Sequence, residues 1–251
     1  VPGHEVVCRI VAVGDKVCHH KVGQRCLVQT DYRDLPTAHS NAAFGYNFEG
    51  GLQEYVLMDE RIVMDPNSGE RFLIPVAEDL SASAVCLVEP WACVEDSYVN
   101  EERRTLKAHG KTLIVSSDRG LSADAMELPL SPDGRPGEIL LDTPDAVAKH
   151  PDESLDDIIY FGADPAVIET LNNKLAPRGI INIVLGGRKI GRPVSVGVGR
   201  VHYGMTRWIG TTGARAADSY ENIPATGEIR PNEKVIVIGA GGPMGQMHVL
   251  R

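Results

Sequence analysis

The chain has 251 residues, of which 25 are basic and 34 acidic, giving a formal net charge of −9. No run of Lys and Arg exceeds two residues, which speaks against a nucleic-acid-binding surface, and every long apolar stretch is broken by charge or glycine before membrane-spanning length. Hydrophobic residues make up 43% but aromatics only 5%, so a globular core must be built mostly from Val, Ile, Leu and Ala, as in many α/β proteins.

Cysteines stand at 8, 18, 26, 86 and 93. Their odd number and the lack of a C-x-x-C pair argue against a disulfide framework and against a four-cysteine structural zinc site. A reducing cytoplasm is the expected location, and no stretch reads as a signal peptide. The chain opens at Val1, directly on Pro2-Gly3-His4-Glu5, and stops at Arg251 just after a glycine-rich turn. It therefore reads as an interior piece of a longer protein.

In chain order, residues 5–14 are rich in β-branched side chains and end in Gly-Asp, which predicts a strand and a turn. Arg25–Gln29 and Gln53–Met58 are two more predicted strands. The polar stretch 30–51, with His39, Asn41, Asn47, Gly50 and Gly51, predicts a long loop. The first 75 residues thus read as an all-β unit of short strands. Ser81 is a predicted cap for a helix running to about Asn100, kinked or interrupted at Pro90.

Beyond residue 110 strands and helices alternate. Lys111–Ser116, Glu138–Leu141, Asp157–Phe161 and Ile180–Leu185 are predicted strands. Asp164-Pro165 starts a helix, with Asp as cap and Pro in the first turn, and Val167, Ile168, Leu171 and Leu175 give it one apolar face. Pro177 and Gly179 stop that helix. The β-α-β run predicts a parallel sheet.

The last element has the most specific pattern. Lys234–Ile238 is a predicted strand, and Gly239-Ala-Gly241-Gly242-Pro-Met-Gly245 leads from it into a helix. Strand, glycine turn and helix together cradle a pyrophosphate: glycines admit the backbone of the turn, and the helix N-terminus offers N–H groups. The spacing is one residue longer than the usual fingerprint, and a ligand-free tight turn would look the same.

His4 beside Glu5 suits a zinc site, as two ligands or as a ligand with its proton-relay neighbour, although such a pair is more often an ordinary surface pair. Glu89 lies in an apolar context (Cys86-Leu-Val-Glu89-Pro-Trp-Ala-Cys93) and needs a partner unless it faces solvent or caps the helix broken at Pro90. Cys93 could be near Glu89. Cys18-His19-His20 reads as a solvated turn, because adjacent residues on a turn rarely converge on one ion. Cys8 and Cys26 read as small core residues of strands.

Gly3-His4-Glu5 with V-V-x-x-I-V-A-V-G, then K-V-G-Q-R, then Gly50-Gly51-Leu-Gln-Glu54-Tyr55-Val, then Leu87-Val-Glu89-Pro90, resembles in order and spacing the zinc-dependent medium-chain alcohol and polyol dehydrogenases. The resemblance covers the first 100 residues, and the terminal glycine motif fits it. It implies an α/β protein with a GroES-like β-barrel catalytic domain and a Rossmann-like parallel-sheet domain. It also implies one catalytic Zn2+, NAD or NADP, and hydride transfer to or from a small-molecule alcohol, polyol or sugar phosphate. On this resemblance His4 and Glu89 are metal ligands. Glu5 is a further ligand or the catalytic proton-relay residue, and Gly239, Gly241, Gly242 and Gly245 bind the cofactor. A homo-oligomer is what the resemblance suggests; no nucleic-acid or membrane partner is expected.

Three departures stand out. Cys8 replaces a usual glycine, the family's upstream Cys ligand would precede Val1, and residues 30–51 lack the cysteines of a structural zinc lobe. A fourth is that 150 residues separate Glu89 from Gly239, where most members need a few tens. Segments resembling the family's later Rossmann segments, 157–169, 177–187, 202–204 and 209–213, come before the glycine motif. The first strand of that unit is followed by Ser117-Asp-Arg-Gly120, with no fingerprint. The expected organisation is a catalytic domain at 1–100, a degenerate Rossmann-like inserted unit at 101–230, and the start of the nucleotide-binding unit at 231–251. Enlarged members of this kind include L-sorbose-1-phosphate reductase-like proteins, which narrows the expected substrate to a sugar phosphate or polyol. Two other readings compete: a zinc-free quinone-reductase-like member, against which His4 and Glu89 speak, and a non-catalytic nucleotide-binding protein of the same fold.

Overall fold

A computed structural model describes residues 1–37, 41–118 and 125–251. His39 and Gly120 lie outside the described residues. By its contacts the chain divides into two compact units, one of Val1–Asn100 with Glu228–Arg251, the other Glu101–Gly227.

The first unit holds short strands β1 (Val7–Arg9), β2 (Arg25–Val28), β3 (Asp31–Pro36), β4 (Asn41–Ala43) and β5 (Leu73–Pro75). They form two small antiparallel sheets, β1-β2-β5 and β3-β4, rather than one closed barrel among the described residues. Cys26, Val28, Tyr32, Phe44, Ile62, Phe72 and Leu73 bury their side chains together, so Cys26 is the core residue expected of it. Three expectations need correction. The strand predicted over 5–14 bonds to its neighbour only from Val6 to Ile10, and residues 11–14 are exposed. The stretch read as a loop carries the β3-β4 hairpin, whose Tyr32, Ala42 and Phe44 alternate into the core. Residues 53–58 form no strand: Tyr55 and Leu57 are exposed, and no neighbour among the described residues takes up a ladder.

The predicted helix over 81–100 is two helices, α1 (Ala82–Cys86) and α2 (Val88–Val99), joined at Leu87. Ser81 caps α1 by accepting a hydrogen bond from the Ala84 N–H at 3.2 Å. Pro90 has no N–H for the Cys86 carbonyl four residues back, and its ring crowds that carbonyl, so the break falls there and Pro90 sits harmlessly in the first turn of α2.

The second unit is a five-stranded sheet of β6 (Lys111–Ser116), β7 (Glu138–Asp142), β8 (Leu155–Phe161), β9 (Leu175–Val184) and β10 (Arg207–Thr211). Every pairing is parallel, in the order β10-β9-β8-β6-β7. This is the doubly wound arrangement: the chain leaves β6 to one side for β7 and to the other for β8. Alternate residues serve the two faces. Leu113, Val115, Ile158, Tyr160, Ile181 and Ile183 pack with Ile168 and Leu171 of α3 (Pro165–Lys174). Ile114, Ile159, Phe161, Ile180 and Val184 pack on the other face with Ala216 and with Tyr220 of α5 (Ala217–Glu221), which follows α4 (Val198–His202). Burial on both faces explains why these strands read as continuous apolar runs. Asp164 caps α3 by accepting from the Ala166 N–H at 2.8 Å. Leu175, read as a helical residue, instead opens β9 with its side chain fully buried.

A charged anchor sits at the amino ends of the strands. Asp157, with no exposed surface, accepts from Arg103 Nη1 at 2.7 Å and from the Lys107 N–H at 2.8 Å. Burial pushes its carboxyl up to about 6, against the pull of the Arg103 guanidinium.

Candidate metal centre and glycine turn

His4 owes its position to backbone stitching. The Gly50, Gly51 and Leu52 N–H groups donate to the carbonyls of Val1, Gly3 and Pro2 at 2.7, 2.9 and 3.1 Å. The approach is so close that a Cβ on Gly50 would lie 2.5 Å from the Gly3 oxygen, which is why glycine stands there. The His4 ring lies against Tyr46, with centroids 5.4 Å apart.

Glu89 comes from elsewhere in the unit. It is the second residue of α2, where the helix N-terminus favours a carboxylate. Thr30 Oγ1 donates to its Oε1 at 3.3 Å, and Cys93 Sγ, one turn further along α2, lies 3.9 Å from the same oxygen. The half-buried His4 and Glu89 and the exposed Glu5 place one ligand atom each within 4.8 Å of one another. Among the described residues no side-chain hydrogen bond or ion pair occupies His4 or Glu5. A donor set of one imidazole and two carboxylates, drawn from positions 84 residues apart, with Glu89 braced through one oxygen by Thr30 and Cys93, fits a divalent ion such as zinc. Thr30 and Tyr46, which brace the cluster, carried no local signal in the sequence.

The remaining candidates divide. Cys18 and His19 are exposed, as expected of a turn, but His20 is buried, with Nδ1 3.3 Å from Gln24 Oε1 and Nε2 without a partner among the described residues. Cys8 faces Cys26 across β1-β2, and burial pushes its thiol up to about 11. Neither group joins His4, Glu5 and Glu89 in the cluster.

At the glycine motif the predicted strand over 234–238 is absent. Val235, Ile236 and Ile238 are 53%, 86% and 94% exposed, because no neighbouring strand in the described residues takes their backbone hydrogen bonds. The turn and helix are formed. Gly239 has φ +83°, the Gly242 N–H donates to the Gly239 carbonyl at 2.9 Å, and α6 (Pro243–Leu250) begins with Pro in its first turn. Gly245 rides against the turn so closely that a Cβ would lie 2.2 Å from the Gly239 oxygen. At its far end α6 is tied to α2: Tyr98 Oη and His248 Nδ1 are 3.0 Å apart, and Arg251 bridges Glu95 at 2.8 Å and Glu228 at 2.7 Å.

Residues 1–67 match the alcohol dehydrogenase GroES-like domain, which bears out over those residues the resemblance read from Gly3-His4-Glu5 and the segments after it. The chain is 26% identical over 288 aligned positions to the uncharacterized protein YggP of Escherichia coli (strain K12). That alignment covers 95% of this chain and 66% of YggP, so the chain spans just under two thirds of this curated relative. Among solved structures it is similar to 2R,3R-butanediol dehydrogenase from Bacillus subtilis, at 20% identity over 85% of this chain and 65% of that one, with a TM-score of 0.33. A second is galactitol-1-phosphate dehydrogenase from Escherichia coli, at 12% identity over 88% and 70%, with a TM-score of 0.32. TM-scores this low establish no correspondence of residues. Among the described residues no helix is long and apolar enough to cross a membrane.

Proposed function

We propose that this chain is part of a zinc-dependent NAD(P) oxidoreductase that moves hydride between the nicotinamide and an alcohol, polyol or sugar phosphate. The observation that carries the reading is the convergence of His4, Glu5 and Glu89 within 4.8 Å, in a unit whose first 67 residues match the alcohol dehydrogenase GroES-like domain. His4, Glu5 and Glu89 would hold the ion, which when bound supplies a Lewis acid for the reacting oxygen. The chain's own residues prepare that place. The Val1–Gly3 stitch and the Tyr46 ring fix the imidazole, and the Thr30 hydroxyl fixes one Glu89 oxygen. Glu5, the most exposed of the three, is suited to exchange protons with water when it is not a ligand. The turn of Gly239, Gly241, Gly242 and Gly245 at the start of α6 is the proposed cofactor-phosphate site, in a nucleotide-binding unit that begins near residue 231. Residues 101–230 are the proposed inserted Rossmann-like unit. A sugar phosphate or polyol is the narrower substrate expected from that enlargement.

Metal binding tests this reading directly. Co2+ titration of the metal-stripped chain, followed by its visible absorption, is expected to saturate at one ion per chain. His4→Ala and Glu89→Gln should each weaken it by at least about tenfold, or roughly 1.4 kcal/mol. Variants that bind Co2+ as the parent does would overturn the assignment and leave the zinc-free reading in its place.

A further inference from the structure

The Glu101–Gly227 unit has a cleft with no part in the reading above. Its volume is about 570 Å³, within the range of small-ligand sites, and it is lined by Leu185, Gly187, Arg188, Lys189, Ile190 and Thr212. These residues follow the carboxyl ends of β9 and β10. In open parallel sheets ligands bind outside the carboxyl ends of the strands, because loops there converge over one edge.

The cleft is held in shape by backbone bonds. Leu185, Gly186 and Gly187 donate their N–H groups to the carbonyls of Thr211, Gly213 and Thr212 at 2.9, 2.8 and 2.9 Å. Gly186 and Gly187 take φ +56° and +77°, which turns the chain sharply and projects the next two residues from a fixed base.

Those two residues are Arg188 and Lys189, both exposed. Among the described residues neither has an ion-pair partner, although the chain as a whole carries an excess of acid. Two acids of the same unit have other partners: Glu169 binds Arg192 Nη1 at 2.7 Å and the Ser195 N–H at 2.8 Å, and Asp164 caps α3.

We infer that this cleft binds the phosphate group of a small phosphate monoester. Two adjacent cations match a dianionic phosphate, where a single carboxylate would leave one charge unpaired, and the Arg188 fork suits phosphate oxygens. Thr212 adds a hydroxyl, and Leu185 and Ile190 give the ester's carbon skeleton an apolar wall.

The test is calorimetric titration of the whole chain, in phosphate-free buffer, with inorganic phosphate, glycerol 3-phosphate, AMP and glycerol. Saturable binding is expected for the two esters, tighter than for inorganic phosphate, and none for glycerol. Arg188→Gln/Lys189→Gln should weaken it by about tenfold or more while leaving the melting temperature unchanged, since both side chains are exposed. Lys189→Gln alone should give an intermediate loss, which keeps the test sound if the double variant misfolds. Preference for glycerol 3-phosphate would identify a polyol or sugar phosphate, and preference for AMP a nucleotide. Esters that bind no better than inorganic phosphate, or variants that bind like the parent, would overturn the proposal. The readout involves neither metal nor hydride transfer, so its failure and that of the metal reading are separate results.

Discussion

Gly245→Ala should damage the glycine turn, whereas Gly241→Ala should not. A Cβ at position 245 would lie 2.2 Å from the Gly239 oxygen and 2.7 Å from Ala240 Cα. Both neighbours are backbone and cannot rotate aside, so the start of α6 must withdraw by roughly 1 Å to reach ordinary contact. The helix is not free to do so, because the Tyr98–His248 contact and the Arg251 bridges to Glu95 and Glu228 hold its other end. Overpacking of this kind costs about 1–3 kcal/mol. At position 241 a Cβ meets nothing within 4 Å, so alanine there should change stability by about half a kcal/mol or less. Amide exchange over residues 239–251 reads the difference. Protection in α6 should fall by about 5–150-fold in Gly245→Ala, the equivalent of that cost, and stay within about twofold in Gly241→Ala. Equal protection in the two variants would refute the argument that the close approach of Gly245 positions the helix.

Other expectations are independent of that turn. Asp157 has a folded-state pKa raised to about 6 by burial, so the folded chain holds this proton more tightly than the unfolded one. Its contribution to stability is therefore fully present below the usual carboxylate range near pH 4 and is lost as pH rises through 6. The loss is about 3 kcal/mol, read by urea unfolding as the pH-dependent difference between the parent and Asp157→Asn. A difference that does not change between pH 4 and 7 would exclude a raised pKa. Ile158→Ala, at a fully buried position of the central strand, should cost about 2–5 kcal/mol, while Leu141→Ala on edge strand β7, 66% exposed, should be near neutral; thermal unfolding separates them. Iodoacetamide should modify the exposed Cys18 in the native chain and reach Cys8 and the fully buried Cys26 only after denaturant is added. Peptide mapping that found Cys26 labelled first would contradict the core packing of β2.

Legibility followed the kind of signal each residue carries. Strands β6, β8 and β9 were readable because burial on both faces writes an uninterrupted apolar run, and Lys111–Ser116 was predicted to the residue, whereas β10, only partly buried, was not among the predicted strands. Asp164-Pro165 was readable because capping is local chemistry. Gln53–Met58 and Lys234–Ile238 carried the same β-type composition and formed no strand. A strand needs a neighbour to take its hydrogen bonds, and composition does not say whether one is there. The β3-β4 hairpin was hidden for the opposite reason: its polar residues face solvent, and only Tyr32, Ala42 and Phe44 reveal the inward side.

The candidate site shows the same division. The amino-acid sequence by itself determined which groups were available, namely an imidazole beside a carboxylate, a glutamate before a proline, and four glycines ahead of a helix. It also determined where local rules act, such as the helix break ahead of Pro90. Only the tertiary structure decided that His4, Glu5 and Glu89 meet within 4.8 Å, that Thr30 and Tyr46 brace them, and that His20 is buried away from them. Capping and turn formation depend on a few consecutive residues. The meeting of residues 84 positions apart depends on backbone stitching and core packing, whose energies belong to no single segment.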